Sequence, residues 1–389
     1  MNSTPKSESN RKAFEELIAK NHREYGLFME HDYHNHGVHL LGSLYDLGAS
    51  QDRMHELYQK LATKFLWKLP ESKYDINEHN YKDYIGKNDA YRDLMDFFER
   101  EISKLDFDKT FQKYVPTLLP GLGGHLAHPL IHLGYAAEFN NKLILAEALA
   151  FATLAYDFHG ELIDKVLPGP TSKDPEKILD EISKDTRYED IQSGPAAEPP
   201  STRATDAKHI EYTQEYFAAG DPNFPNDDYS GKIHELSRAI TLLFLGHASN
   251  LRLRFLLCHV LTSFHGVRVI LPKLTKNDQI RALRLVWLTA LQMFVVEGRP
   301  KPTWENIQQY PIDDLSKDKT QAWEQISTAA INDEDIHGHA IKSVRAMKRL
   351  AETYPEDEEI WRRGCWKVTN LVKTPDDWSH SFDPEPIDK

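Results

Sequence analysis

The chain has 389 residues, with 60 acidic against 47 basic side chains and a formal net charge of −13. That balance argues against a duplex nucleic-acid binder, which needs a basic face to displace counterions, and disfavours docking on anionic lipid. Apolar residues make up 40%, enough for a large core, yet no stretch approaches the about 18 uninterrupted apolar residues that suggest a membrane span. The polar run Met1 to Asn10 lacks the apolar centre of a secretory signal, so the expected location is cytoplasmic. Cys258 and Cys365 are too few for a disulfide framework and read as small buried residues.

In chain order, apolar residues recur at helical spacing over Arg11 to Tyr25, His36 to Leu47, Gln51 to Phe65, Tyr91 to Ile102, His128 to Phe139 and Lys142 to Phe158. The pattern resumes over Lys232 to His247, Leu251 to Leu271, Asn277 to Val296, Glu334 to Leu350 and Glu358 to Leu371. No strand with period-two alternation stands out. The predicted fold class is all-α: a single compact multi-helix domain over residues 13–372, after a flexible N-terminus at 1–12. Residues 168–208, rich in Pro, Ser, Asp and Lys, are expected to form a polar surface insertion with one short helix. The acidic, proline-bearing tail at 373–389 is expected at the surface. One domain is preferred over two because histidine clusters fall on both sides of the insertion.

Histidine is abundant, with 19 copies, and clustered imidazoles are common raw material for transition-metal sites. The first cluster runs His31-Asp32-Tyr33-His34-Asn35-His36-Gly37-Val38-His39. A helix capped at Asn35 would set His36 and His39 one turn apart on the same side, anchored by Leu40, Leu41 and Leu44. The second cluster is Gly123-Gly124-His125-Leu126-Ala127-His128-Pro129-Leu130-Ile131-His132. Pro129 suits the first helical turn with His128 as its cap, and His132 follows one turn later. The pair could meet one ion, or could bond to backbone or to each other. The nearby glycines do not complete a dinucleotide fingerprint, and no P-loop occurs.

His259 lies mid-helix among apolar residues, as a metal ligand or as a core histidine bonded to Thr262 or Ser263. Asp333-Glu334-Asp335-Ile336-His337-Gly338-His339-Ala340-Ile341-Lys342 opens a later helix, where acidic residues favour the positive end of the dipole. His339 and Lys342 share a face there. An ordinary surface pair is the bland reading, because an ammonium group repels a metal ion.

Taken together, Asn35-His36, His128-Pro129-Leu130-Ile131-His132-Leu133-Gly134-Tyr135, the helix around His259 and His339-Ala340-Ile341-Lys342 resemble, in order and separation, the questin oxidase-like family. The resemblance runs from about His31 to Leu371, apart from the insertion. It implies an all-helical oxidoreductase that cleaves the central ring of an anthraquinone or related polycyclic phenol in fungal secondary metabolism. The implied chemistry is Baeyer–Villiger-like oxygenation with NADPH, or non-haem iron dioxygenation with Fe(II) and O2. The implied ligands are His36, His128, His259, His339 and an N-carboxylated Lys342. His132 and His265 are candidate bases, and His39 is a candidate to face the substrate. Phe264, Trp287, Met293 and Phe294 are candidate walls of an aromatic pocket. The implied partner is a small aromatic polyketide.

Other readings remain at this level. His31-Asp32 could belong to an HD-type metal-dependent phosphohydrolase. A di-iron bundle needs two Glu-x-x-His motifs, and only Glu334-Asp335-Ile336-His337 is found. A non-catalytic helical binding protein would have to bear buried imidazoles without partners, at about 1–3 kcal/mol each.

Overall fold

The computed structural model describes residues 7–29, 34–156, 158–165, 173–191, 207–220, 229–247 and 252–378. Helix α1 (Glu8–Glu24) begins at Ser7, whose Oγ accepts from the Asn10 amide at 3.2 Å. This start precedes the apolar periodicity because the first turn is set by capping rather than burial. Strand β1 (Tyr25–Met29) pairs antiparallel with β2 (Leu66–Lys68) on the far side of α2 (Gly37–Leu47) and α3 (Gln51–Lys64). No strand is expected from the sequence. Five and three residues are too few to display a period of two.

Helices α4 (Tyr91–Leu105), α5 (Phe107–Leu118), α6 (Gly124–Phe139) and α7 (Lys142–Leu154) follow. The sequence reading omits α5, which carries Pro116. Its stripe Phe107, Phe111, Tyr114, Val115 and Leu118 is nevertheless buried at helical spacing. Next come α8 (Pro175–Lys184), α9 (Ala207–Ala219) and α10 (Tyr229–Leu245). The short helix expected in the insertion is α8, but Ile178, Leu179 and Ile182 have no exposed surface. Part of that stretch therefore supplies core; residues 192–206 lie outside the described residues.

The centre is formed by α6 against α11 (Phe255–Ile270), flanked by α12 (Lys276–Val296). A Cβ on Gly134 would lie 2.5 Å from the Gly266 Cα, so these two backbones touch through paired glycines. Segments Phe255–Lys273 and Lys276–Val296 are long and apolar enough to cross a membrane, but 78% and 72% of their apolar windows are buried inside the fold. Their composition is that of core helices.

After the short α13 (Glu305–Gln308) and α14 (Lys319–Ile331), α15 (His339–Thr353) and α16 (Glu358–Leu371) close the body. The expected helix start at Glu334 moves to His339. Gly338 takes a left-handed φ of 71°, and Asp335 Oδ2 accepts from the Ala340 amide at 2.9 Å, capping the helix from outside. The described start of the tail, residues 373–377, lies at or near the surface as expected, but its last described residue turns into the core. Trp378 is 1% exposed, with Nε1 directed at Asp335 Oδ2 3.4 Å away. An acidic, proline-bearing composition concealed that single aromatic anchor.

Candidate metal centre and substrate cavity

Asn35 is not itself the cap of α2, which is His36. Its Oδ1 accepts from the Gly37 amide at 2.9 Å, while its Nδ2 donates to Asn21 Oδ1 and to the Gly26 carbonyl, each at 3.1 Å. This clamp fixes the turn that carries His36. At the start of α6, His125, Leu126 and Ala127 all take left-handed backbone angles, with φ of 47°, 57° and 57°. Such conformations cost about 1–2 kcal/mol per non-glycine residue. The turn lets the His125 carbonyl accept from His128 Nδ1 at 2.6 Å. The right-handed helix then resumes with Pro129 in its first turn, as expected.

Four imidazoles from four helices close a ring. Centroids are 5.0 Å apart for His36–His128, 4.8 Å for His128–His259, 5.1 Å for His259–His339 and 4.7 Å for His339–His36. His36, His128 and His339 each offer a nitrogen within 4.8 Å of the other two. His259 stands beside this tightest set. Its Nδ1 donates to the Phe255 carbonyl at 3.1 Å, so its Nε2 carries the lone pair and has no partner. Thr262 and Ser263 donate to backbone carbonyls instead, so the hydroxyl-bonded core histidine is not what forms. His128 is fixed in the same tautomer by the His125 carbonyl, with Nε2 2.8 Å from His36 Nε2. Carbonyl acceptors of this kind orient metal-binding imidazoles. Burial first, and the neighbouring cationic groups second, push His36, His128, His259 and His339 well below the ordinary histidine range. They are therefore neutral donors.

Lys342, one turn after His339, is 1% exposed, and its Nζ has no hydrogen-bond partner among the described residues. The surface pair with His339 is thus not formed; both are buried. Burial lowers the Lys342 pKa to about 8, against the opposing influence of Cys258 and Asp335. Its charge acts on every imidazole of the ring. Orphaned lone pairs on His259 and His339, a buried amine without a partner and neutral tautomers together suit a divalent transition metal, which replaces the missing hydrogen bonds.

A cavity of about 590 Å³ opens beside the ring, with His36 and His339 in its wall. Phe65, Phe255 and Trp378 supply aromatic surface, and Lys60, Lys64 and Glu334 stand among its polar lining. The expected walls are elsewhere. Phe264, Trp287 and Phe294 have no exposed surface, Met293 is 6% exposed, His39, expected to face the substrate, is 1% exposed, and none of the five lines this cavity. The four apolar side chains belong to the packed core instead. His337 lines the cavity 6.0 Å from the His36 ring; it was visible in the sequence cluster, but nothing there ranked it. Phe65 and Trp378 carried no sequence signal at all.

The two expected bases part company. His132 Nδ1 lies 3.3 Å from His39 Nε2, and the His39 ring is 5.7 Å from that of His36. The other nitrogen of His132 meets Glu147 Oε2 at 2.8 Å. His265 instead approaches Glu138 at 3.4 Å, within a buried ion cluster of Arg345 and Asp46. Glu147 was missed, although a lone carboxylate in the apolar run Leu145-Ala146-Glu147-Ala148-Leu149 is a legible signal. His31 lies outside the described residues.

The questin oxidase-like family profile matches residues 33–347. This chain belongs to the questin oxidase-like family. It is 27% identical over 368 residues to a Baeyer-Villiger monooxygenase of Cryptosporiopsis, covering 85% of this chain and 79% of that one. It is 24% identical to a Baeyer-Villiger oxidase of Paecilomyces divaricatus, covering 93% and 86%. Over a shorter stretch, 34% of this chain and 33% of the relative, it is 26% identical to a questin oxidase of Aspergillus terreus. This questin oxidase-like chain is accordingly an oxidoreductase.

Proposed function

We propose that this protein is an O2-dependent oxygenase that cleaves the central ring of a hydroxylated anthraquinone or a similar polycyclic phenol at a mononuclear iron centre. The observation that carries the reading is the closed ring of His36, His128, His259 and His339, with unpartnered nitrogens, beside an aromatic-walled cavity. The names of its relatives, Baeyer-Villiger oxidases and a questin oxidase, support the reaction class.

In this reading the four histidines hold the ion. Lys342 supplies the anionic ligand after its amine adds CO2 with loss of a proton, a step eased by a pKa lowered to about 8. Bound there, Fe(II) would supply the capacity to activate O2. The remaining work falls to the chain. Phe65, Phe255 and Trp378 would sandwich a flat ring system and exclude water. Lys64 at the polar edge would attract a phenolate. His132, acting through His39, would accept a substrate proton, a role for which His265 in its ion cluster is poorly placed.

Metal content of protein purified without chelator tests the proposal, alongside His128→Ala and His259→Ala. About one iron per chain, lost in both variants, with O2 uptake on hydroxylated anthraquinones, is the expected result. Wild-type protein with no stoichiometric iron after anaerobic Fe(II) reconstitution would overturn it.

A further inference from the structure

Behind the imidazole ring, histidines and carboxylates alternate in an unbroken line to the surface. His132 Nε2 meets Glu147 Oε2 at 2.8 Å, Glu147 Oε1 meets His22 Nδ1 at 2.8 Å, and His22 Nε2 meets Glu99 Oε1 at 2.7 Å. The side chains of His132, Glu147 and His22 are 5%, 4% and 5% exposed, whereas that of Glu99 is 41% exposed. Its inner end, His132, meets His39 Nε2 at 3.3 Å, and the His39 ring stands 5.7 Å from that of His36. The members come from α6, α7, α1 and α4, so no local propensity places them together.

We infer that this line is a proton route between the buried site and solvent, with Glu147, His22 and Glu99 as further positioning residues for the proposed reaction. An ion pair built for stability needs one contact per partner. Here Glu147 divides its two oxygens between two imidazoles, and His22 divides its two nitrogens between two carboxylates, so each atom serves one link. Desolvating such a line is costly, and apolar residues of the same volume would stabilise the fold as well or better. The cavity mouth cannot serve as the exit while an aromatic substrate fills it.

The steps conserve charge and move no electrons. A proton arriving at His132 Nδ1 releases the Nε2 proton to Glu147 Oε2, breaking an N–H and forming an O–H bond. His22 passes its Nε2 proton to Glu99 and so to water. Losing the His22 charge removes part of what holds Glu147 ionised, so the second carboxylate accepts as the first delivers. Rotation of the Glu147 carboxyl group brings its proton to the His22 side, and a flip of the His22 ring turns the vacated Nε2 toward it. The O–H bond then breaks as the N–H bond re-forms, and the retained Nδ1 proton faces Glu99. Two titration shifts agree with this resting state. Burial opposes the charge on His22, but Glu147 and Glu99 hold its pKa up at about 9. Burial likewise opposes ionisation of Glu147, which His132 and His22 hold down at about 2.

The inference rests on the proposed oxygenase for its use, and its test separates the two. Glu99→Gln alters only the surface end, and thermal unfolding checks that the fold is kept. By nitrogen-15 NMR on the full chain without added iron, exchange of the His132 ring proton with water is expected to slow about tenfold in Glu99→Gln and in Glu147→Gln. In the iron-loaded enzyme, kcat is expected to fall about tenfold, with KM and metal content unchanged and a larger solvent deuterium effect. Glu99→Asp is expected to restore most of the rate. Wild-type exchange in Glu99→Gln overturns the route. Should the wild-type protein hold no iron and turn nothing over, the oxygenase reading fails, and the exchange rates alone still decide the route.

Discussion

His36 and His128 meet nitrogen to nitrogen, Nε2 to Nε2, at 2.8 Å across 92 positions of chain. Because His128 Nδ1 is already spent on the His125 carbonyl, its Nε2 must accept, and His36 must donate. With the His36 proton moved to its own unpartnered Nδ1, a metal ion could take both Nε2 nitrogens as ligands, so the metal-free geometry lies one tautomer shift from a bound one.

The ring depends on how closely two helices approach. Adding a Cβ at Gly134 places it 2.5 Å from the Gly266 Cα, so α6 and α11 must separate. Gly134→Ala is expected to destabilise the fold by about 1–3 kcal/mol in urea unfolding. Metal stoichiometry is expected to fall with it, as His128 moves from His259. An alanine variant with wild-type stability would show that the glycine contact is not tight.

Lys342 separates stability from ligation. Lys342→Met removes a buried amine that has no partner and keeps the length of the side chain. The expected result is an unchanged or higher Tm together with lost metal. Lys342→Arg keeps a permanent charge among neutral imidazoles and is expected to lower stability by roughly 1–3 kcal/mol. Full iron occupancy in Lys342→Met would exclude the lysine as a ligand.

The His22–Glu147 pair makes stability depend on pH. His22 rises from 6.5 to about 9, so its contribution is complete below pH 6.5 and is lost as pH climbs through 9. Glu147 falls from 4.5 to about 2, so its contribution is present above pH 4.5 and is lost on acidification toward 2. Glu99, and through it Arg92, faces the other side of His22. Urea unfolding should show stability declining by up to about 3 kcal/mol over the alkaline limb. That decline should flatten in Glu147→Gln; an identical limb in the variant would contradict the assignment.

Phe65 is half-buried in the cavity wall, 4.9 Å from the His337 ring. Phe65→Ala is expected to weaken binding of a hydroxylated anthraquinone about tenfold by calorimetry, at little cost in Tm, because the lost surface is substrate-facing. Phe264→Ala should do the reverse: its ring has no exposed surface, so stability falls by about 3–5 kcal/mol and drags binding with it only through unfolding.

Helical periodicity was enough to determine the all-α class and most helices. The histidine clusters were legible because their residue types and neighbours lie within one or two turns of sequence. The set His36, His128, His259, His339 and Lys342, however, came from the family resemblance, and Lys342 read on its own as part of a surface pair. Tertiary structure alone decided which side chains those motifs meet. Trp378 enters the cavity because its indole reaches Asp335, and Phe65 because the end of α3 brings its ring 4.9 Å from that of His337. Phe264 and Trp287 were equally aromatic at equal helical spacing, yet face the packed interior. A helix shows in sequence which residues share a face. The partner of that face is set by close contacts between distant segments, such as Gly134 on Gly266, and these leave no periodic trace.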